Sequence, residues 1–434
     1  MRDLVSRLRA IVRQPVGRGS SDLDHSAGPE RELTYVPDVA APAVDLDQTA
    51  ALLGGARHDV SGSSCVVIDR TWEAHDWHGR WTMEAYAIDA AAPLALFDPR
   101  LAAVADWSSR IVFFDIETTG LSGGAGTLPL LAGCGWFERG RFTVRQFFLS
   151  GPSGERALLD GLAEIFDAAS LLVTYNGRTF DVPVMETRWA FHRRTNPSED
   201  LPHFDMLPAA RRLWGRGSSQ KAASCTLTSL ERSVLRFHRL GDVPGLEIPS
   251  RYFQFLRTGD VTTIAGVLDH NRHDIVSLAA VTAHALRLGA EGPDGCEMST
   301  EQLGLGRLYE RAGDALRAEQ AYALAAAAED SEIAAQALAR LAVLLRRSGR
   351  YDEAARAWQG VLELDGSAEA VERQAIEALA IHHEHRARDF AGARQYAETL
   401  RRQASGLQAR DVDRRLNRLE RKIKKADEAA RLLG

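Results

Sequence analysis

Two acidic side chains, Asp115 and Glu117, interrupt the otherwise apolar stretch VFFDIETTGL. Because side chains alternate between the two faces of a β-strand, both carboxyl groups point the same way, and Val112, Phe114 and Ile116 point the other way. Neighbouring carboxylates raise each other's pKa unless a positive group neutralises them, and oxygen ligands select Mg²⁺ or Mn²⁺ over zinc or copper. The pair therefore indicates part of a metal site. The alternative is an edge strand whose polar face meets water, which the hydrophobicity of the stretch disfavours.

Two later acids occur where they could complete such a site. Asp181 follows a strand-like run in YNGRTFDVPVM and begins a predicted helix. Asp274 belongs to an amphipathic helical stretch, 267–286, and lies one turn beyond His270 on the same face of the helix. Taken singly, an acid at a helix start is usually a cap, and one in mid-helix usually faces solvent. The metal-site interpretation therefore requires evidence that these acids act in one common site.

Three motifs in a fixed order connect these acids: D-I-E-T-T-G, N-G-x-x-F-D and H-N-x-x-D. This order resembles the exonuclease motifs of the DEDD superfamily, which has a ribonuclease H-like fold, and within it the YprB-like family. The resemblance covers roughly residues 105–290. It implies hydrolysis of nucleic-acid phosphodiester bonds by a two-metal mechanism, with two divalent ions, Mg²⁺ or Mn²⁺, as cofactors. The implied metal ligands, converging at the end of the first strand of this region, are Asp115, Glu117, Asp181 and Asp274.

The resemblance also indicates a proton acceptor. Exonucleases of this type carry a His five residues, or a Tyr four residues, before the last acid; here position 269 is Asp, and His270 takes the tyrosine position. An imidazole with an ordinary pKa of about 6.5 can accept a proton from water at neutral pH. His273 is an alternative, but it is adjacent to Asp274 and should face another side of the helix. This departure from the family pattern is also compatible with a nuclease whose activity is weak or altered.

Further polar residues are candidates for substrate contacts. They are Thr118, Asn176, Asn271, Arg211 and Arg212. The two asparagines could contact phosphate or position the acids, although a hydrogen bond in a turn or helix is the simpler interpretation. The two arginines precede a polar stretch that could guide a nucleic-acid strand or be a solvated loop. Nearby, Trp214 could stack on a base but is more commonly a core residue, and Asp205 is interpreted as structural.

The elements around the motifs indicate the fold class. Strands that alternate with helices predict an α/β ribonuclease H-like domain, with a mixed central sheet flanked by helices. We place this domain at 106–290. The predicted elements, in chain order, are a strand at 110–119, two strands within 128–150, a helix at 155–169, a strand at 170–177 and a helix from 181.

The C-terminal part, 298–434, is rich in Ala, Leu and Arg and repeats itself at an offset of 36 residues. Gly313 matches Gly349, and Ala318 matches Ala354. Small residues at fixed positions let two helices pack closely, so the pattern resembles tetratricopeptide repeats that end in a basic helix. A generic helical bundle is the alternative. Repeats of this kind could bind a protein partner.

The N-terminal part carries weaker signals. Residues 1–50 are polar and lack periodicity, which predicts a disordered segment. Residues 51–105 are predicted as a small β-rich lead-in, with possible strands in SCVVIDRTWEA and RWTMEAYAI. No apolar run approaches the length of a membrane span, and the N-terminus lacks the apolar core of a signal peptide. We therefore expect a cytoplasmic protein without a membrane partner.

Charge and cysteine content restrict the function classes further. The net charge is −6, but residues 186–240 carry ten Arg or Lys against five Asp or Glu. A local basic surface of this kind suits nucleic acid, and a solvated helix face explains it equally well. The four cysteines are scattered without a C-x-x-C pair, which argues against a zinc knuckle and a disulfide framework.

The leading hypothesis is thus a metal-dependent nuclease, with a 3′–5′ exonuclease as the expected type and DNA or RNA as its substrate. One alternative is a non-catalytic scaffold for nucleic acid or protein, derived from a nuclease fold. Another is a structure-specific endonuclease of the same fold. The sequence does not separate an exonuclease from an endonuclease, because fold analogy alone does not decide the reaction.

Overall fold

The structure is a computed structural model that describes residues 45–88, 93–104, 106–120, 126–215 and 225–433, with the backbone alone for 429–433. The predicted disordered segment therefore lies outside the described residues except for its last six positions. Five of these six, from Leu46 onward, already belong to a helix.

Nine strands are found in the described parts of the chain. They are β1 (Ala56–Val60), β2 (Ser63–Trp72), β3 (Trp77–His78), β4 (Trp81–Thr82), β5 (Ile111–Thr118), β6 (Pro129–Glu138), β7 (Arg141–Phe148), β8 (Leu171–Thr174) and β9 (His203–Asp205). β3 pairs with β4, and the other seven form one sheet in the order β1-β2-β7-β6-β5-β8-β9. β5 is antiparallel to β6 and parallel to β8, and β8 is parallel to β9. The sheet is therefore mixed, as predicted.

Fifteen α-helices accompany these strands within the same described ranges. They are α1 (Leu46–Leu52), α2 (Leu94–Phe97), α3 (Glu155–Asp167), α4 (Asp181–Phe191), α5 (Met206–Leu213), α6 (Leu227–Leu230), α7 (Ile248–Thr258), α8 (Thr262–Glu291), α9 (Ser299–Ala312), α10 (Ala315–Ala325), α11 (Ser331–Arg347), α12 (Tyr351–Glu363), α13 (Glu369–His382), α14 (Phe390–Gln403) and α15 (Gly406–Leu433). From α9 onward, every element of the described chain is a helix. The predicted fold class, a flanked mixed sheet followed by an all-α region, is confirmed.

The predicted β-rich lead-in is built differently from the expectation. β2 pairs antiparallel with β7, so β1 and β2 extend the main sheet. In RWTMEAYAI only Trp81 and Thr82 are strand, and a 3₁₀ turn follows at Met83–Tyr86. Both ends of this turn are fully buried. A 3₁₀ turn places side chains three residues apart on one side, which explains how both reach the core.

The central strand β5 is covered on both faces. Its residues Val112, Phe114 and Ile116 pack in one cluster with side chains of α3 and α4, including Phe166 and Trp189. On the other face, which packs against α8, β5 is apolar at its beginning and acidic near its end. The buried core therefore fixes which face of the strand presents the acids.

Glycines on β6 allow α8 to approach the sheet. A Cβ atom on Gly133 would lie 2.2 Å from Ile275 Cδ1 and 2.3 Å from Asn271 Oδ1, and one on Gly135 would lie 2.4 Å from Ile275 Cγ2. Contacts this short cannot be accommodated in a packed interior without movement. The absence of side chains at these two positions therefore brings the last motif, on α8, close to β5.

We expect Gly133→Ala to displace α8 and to lower the free energy of unfolding by about 1–3 kcal/mol. The added methyl group would collide with Ile275 and Asn271, so the helix must move away from the acids of β5. Urea denaturation measures the loss. Gly151→Ala is the matched control, since a Cβ atom there meets nothing within 4 Å. Equal stabilities of the two variants would contradict this account of the packing.

The helical C-terminal region contains the predicted repeat features. Gly313 and Gly349 each end a helix with φ of 81°, a conformation that favours glycine. Ala318 and Ala354 are buried where consecutive helices pack. Trp214 is a core residue in this structure: it is 6% exposed, and its ring nitrogen donates a hydrogen bond to the α9 residue Glu301 at 3.1 Å. The region is all-α, and its assignment to tetratricopeptide repeats stays a prediction.

None of the helices described above is both long enough and apolar enough to cross a lipid bilayer.

Candidate metal centre

The acid pair of the first motif lies near the carboxyl end of β5, on the face toward α8. Asp115 and Glu117 alternate with the buried side chains of Phe114, Ile116 and Thr118 along the strand. Burial is the largest cause that raises the pKa of Asp115 and of Glu117 well above the ordinary range, and the charges of nearby carboxylates add to it. The two acids are therefore held in a place that disfavours their ionised forms.

Asp181 is fixed directly to the same strand. β8 pairs with β5 only as far as Val173, and beyond this point the first residue of α4 reaches β5 with its side chain. Asp181 Oδ1 accepts a hydrogen bond from the backbone N–H of Ile116 at 3.2 Å. Burial raises the pKa of Asp181 to about 7, although hydrogen bonds from backbone amides oppose this change. This single contact places Asp181 between the two acids of β5.

Asp274 and His270 complete the cluster from α8. His270 Nε2 lies 3.5 Å from Asp274 Oδ2 and 3.8 Å from Glu117 Oε1. Ligand atoms of Glu117, His270 and Asp274 all lie within 4.8 Å of one another, which is close enough for one metal ion. The predicted shared helix face is therefore present, and the structure brings together the four acids and His270. His273 lies apart from them, with its ring packed against Phe237 at 5.5 Å between ring centroids.

Asn271 holds Asp115 and is not available to a substrate. Its Nδ2 donates to Asp115 Oδ2 at 2.8 Å and to the Asp115 carbonyl oxygen at 3.2 Å. Its Oδ1 accepts from Gln146 Nε2 at 2.8 Å, and the residue is fully buried. The prediction of a substrate contact at Asn271 is therefore wrong, because its amide is fully used inside the protein. The simpler interpretation, a positioning hydrogen bond, is the one that the structure contains.

Asn176 belongs to a turn that Asp205 holds in place. Asp205 accepts hydrogen bonds from the backbone N–H groups of Asn176 at 2.8 Å, Arg178 at 3.3 Å and Leu207 at 3.1 Å. The side chain of Asn176 accepts a hydrogen bond from Thr179. Asp205 thereby caps α5 and holds the loop that leads to Asp181. The structural interpretation of Asp205 agrees with these contacts. In the described chain Asn176 makes no hydrogen bond to Asp115, Glu117, Asp181 or Asp274.

The hydrogen bonds found for Thr118 and Arg212 in the described chain do not involve the four carboxylates. Thr118 is buried and donates its hydroxyl hydrogen to the carbonyl oxygen of Gly120 at 2.8 Å. Arg211 and Arg212 belong to α5, and Arg212 lies 3.5 Å from the carbonyl oxygen of Phe97. Among the residues that the structure describes, no ion pair joins either arginine to the four acids. Their role in guiding a nucleic-acid strand stays a prediction.

Three charged residues at the centre were missed by the sequence analysis. Asp242 Oδ1 lies 2.8 Å from His270 Nδ1. Arg239 donates to Asp274 and, at 2.6 Å, to Glu231. These residues lie in a short π-helical turn and the loop after it, where no periodicity marks a buried side. The density of charge in ERSVLRFHRLGD was the one available signal, and a solvated loop explains it equally well.

The chemistry of these donors fits divalent cations. Burial, together with neighbouring carboxylates, disfavours the ionised forms of Asp115, Glu117 and Asp181. Asp274 and the imidazole of His270 add further donor atoms close to Glu117. A divalent cation among them would offset both costs, and an oxygen-rich donor set suits Mg²⁺ or Mn²⁺. The residues present therefore fit the metal site that the sequence motifs imply.

The chain is similar to a family model, a protein of known sequence and a solved structure. The model of the RNase_H superfamily matches residues 112–286, which contain all four acids. The uncharacterized protein YprB of Bacillus subtilis (strain 168) is 30% identical over 320 residues, covering 72% of this chain and 75% of YprB. A family B DNA polymerase from the hyperthermophilic archaeon Pyrobaculum calidifontis aligns with 50% of this chain and 29% of its own, at 14% identity and a TM-score of 0.33. This chain belongs to the YprB family of the RNase H superfamily.

Proposed function

We propose that the protein is a metal-dependent nuclease, with 3′–5′ exonucleolytic hydrolysis of nucleic acid as its reaction. The observation that carries the proposal is the meeting of four acids from three elements, β5, α4 and α8, in one largely buried cluster. Folding alone gives no reason to place them together, because burial beside other carboxylates disfavours the ionised forms of Asp115, Glu117 and Asp181. Membership of the RNase H superfamily supports a nuclease fold.

The acids would act as the ligands of two divalent ions, Mg²⁺ or Mn²⁺. When bound, such ions supply Lewis acidity and charge compensation for phosphodiester hydrolysis. The protein contributes fixed ligand positions: Asn271 orients Asp115, and the backbone N–H of Ile116 orients Asp181. Substrate selection through bases is expected to be weak, because contacts to the phosphate backbone carry no sequence information.

His270 would accept a proton from the attacking water. Its Nδ1 lies 2.8 Å from a carboxylate oxygen of Asp242, so the hydrogen-bonded proton belongs on Nδ1. Nε2 is then left with its lone pair, and it faces Asp274 and Glu117. This orientation suits either proton transfer or metal ligation. We assign proton transfer, because the four carboxylates already provide the negative charge that the ions require.

Asp242→Ala is expected to lower the hydrolysis rate at neutral pH by roughly 10–100-fold, because His270 loses the group that orients its ring. Initial hydrolysis rates at a fixed neutral pH measure the effect. Asp269→Ala is the matched control: this neighbouring acid on α8 is exposed and pairs with Arg272. A rate loss in Asp242→Ala no larger than that in Asp269→Ala would contradict the orienting role.

End-labelled substrates test the proposed reaction directly. Single- and double-stranded DNA and RNA are incubated with Mn²⁺ or Mg²⁺, with either the 3′ or the 5′ end chemically blocked. The proposal predicts mononucleotide release that EDTA stops and that a 3′ block prevents. Cleavage of closed circular nucleic acid would instead indicate an endonuclease of the same fold. No hydrolysis on any of these substrates would contradict the proposal.

A non-catalytic scaffold is the second candidate, and one contact favours it. Arg239 pairs with Asp274, so one of the four acids already has a positive partner that is part of the chain. A scaffold would bind nucleic acid without hydrolysis, and its affinity would not depend on Mn²⁺. In either case, the all-helical region is proposed to recruit a protein partner.

A further inference from the structure

Arg239 lies inside a group of acids at the edge of the candidate metal centre. Its side chain is 4% exposed, and it pairs with three carboxylates. The partners are Glu231, with a side chain 2% exposed, Asp242 at 26% and Asp274 at 19%. A guanidinium group has five donors in a planar fork, which allows it to serve several carboxylates at once. Arg239 therefore supplies a fixed positive charge among these three carboxylates.

The chain path holds Arg239 in this position. The π-helical turn Glu231–Leu235 ends at Arg236, which has a left-handed backbone with φ of 55°. The next residue, Phe237, packs its ring 4.2 Å from the ring of His78. This reversal and the aromatic anchor turn Arg239 inward. Glu231 secures it, because a buried carboxylate without a partner is strongly unfavourable.

The pairing uses part of a proposed metal ligand. Arg239 Nη2 donates to Oδ1 of Asp274, whereas Oδ2 of Asp274 faces His270 Nε2 at 3.5 Å. Only one of the two carboxylate oxygens is thus free of the guanidinium. A positive charge in contact with a ligand also repels any further cation nearby, and this repulsion is strong in a partly buried site.

We infer that Arg239 is an internal counter-cation that competes with divalent ions for Asp274 and so weakens their binding. This inference rests on the metal site of the proposed function. The fixed positive charge raises the dissociation constant for divalent ions. The centre is therefore fully occupied only at a higher ion concentration than it would need without Arg239. Arg239 is therefore a residue that sets the cation affinity of the site, acting through Asp274.

Equilibrium binding of Mn²⁺, followed by the electron paramagnetic resonance signal of the free ion, tests this role without any nuclease assay. Arg239→Gln removes the charge, so we expect tighter binding of Mn²⁺ by at least roughly tenfold. Arg239→Lys keeps the charge and loses only the fork, so its affinity should stay within about threefold of the parent protein. Unchanged or weaker binding in Arg239→Gln would overturn the inference, and so would equal changes in both variants.

A second variant keeps the test decisive if Arg239→Gln does not fold. The double change Glu231→Gln with Arg239→Gln removes both partners of the buried pair, so Glu231, the most buried of the three carboxylates, is not left ionised without a partner. It should also bind Mn²⁺ more tightly than the parent, and failure to do so would overturn the inference. Circular dichroism establishes that each variant is folded. Hydrolysis is measured separately, so tighter binding without any hydrolysis would support this role of Arg239 while contradicting the proposed nuclease.

Discussion

Asp115→Asn is expected to reduce phosphodiester hydrolysis by roughly 10³-fold or more while making the metal-free protein more stable. The loss of activity follows because Asp115 is a proposed ligand that Asn271 holds and that the other carboxylates surround. The gain in stability follows because burial and nearby negative charges disfavour the ionised form of Asp115, and the neutral amide removes this cost. An asparagine oxygen can still accept the hydrogen bond from Asn271.

Two measurements check this pair of effects. The hydrolysis rate is compared at saturating Mn²⁺, and the free energy of unfolding is measured by urea denaturation in EDTA at pH 7.5. We expect a gain of about 1–2 kcal/mol in the variant. Asp269→Asn serves as the control, because this acid is exposed and outside the cluster. A clear loss of stability for Asp115→Asn in EDTA would indicate that Asp115 serves the fold rather than a metal ion.

The second large effect is a dependence of stability on pH that divalent ions reverse. The pKa of Asp181 is raised to about 7 in the folded protein, from an ordinary value of 3.8. Well below pH 4 the carboxyl group of Asp181 is protonated in the folded and the unfolded state, so its burial does not reduce the free energy of unfolding. Between pH 4 and 7 the unfolded chain ionises first, so the folded state binds more protons and its stability falls as the pH rises. The expected total is on the order of 4 kcal/mol.

Buried histidines act in the opposite direction and must be removed from the comparison. Burial lowers the pKa of His78 to about 3, so this group stabilises the fold as the pH rises through the ordinary range of histidine. The difference in unfolding free energy between the parent and Asp181→Asn removes this contribution. In EDTA, we expect the parent to lose stability relative to Asp181→Asn from pH 4 to pH 8. A difference that does not change with pH would contradict the raised pKa of Asp181.

Mn²⁺ should restore the stability of the parent at high pH. The ion binds ionised carboxylates, so its stabilising effect should be larger at pH 8 than at pH 5. At a hundredfold excess over its dissociation constant, a ligand that binds only the folded state adds about 2.7 kcal/mol. Asp181→Asn should show little of this gain. Equal stabilisation by Mn²⁺ at both pH values would indicate binding at another place.

The sequence predicted those parts of the site that depend on local periodicity. Alternation along β5 placed Asp115 and Glu117 on one face, and the spacing of one helical turn placed His270 and Asp274 together. Asp181 was found through its motif, and the structure adds the hydrogen bond that holds it. In these cases the positions of the side chains follow from residues that are close together in the sequence.

The parts that were missed depend on contacts between distant residues. Arg239 lies 35 residues before Asp274, and Asp242 lies 28 residues before His270, in a loop without periodicity. Only the folded chain brings these pairs together. Asn271 was predicted to contact substrate because the sequence does not show that it is completely buried. Its burial depends on how α8 packs over Gly133 of β6, which only the folded structure reveals. Strand pairing between β2 and β7 is likewise a long-range feature, which is why the lead-in was treated separately.

The stoichiometry and affinity of Mn²⁺ binding test most directly whether the four acids form one centre. The account predicts that neutralising any one of them weakens binding by at least about tenfold, whereas Asp269→Asn binds like the parent. The four variants are Asp115→Asn, Glu117→Gln, Asp181→Asn and Asp274→Asn. Binding like that of the parent in Asp181→Asn or Asp274→Asn would contradict the account, because those acids would then not share their ions with β5.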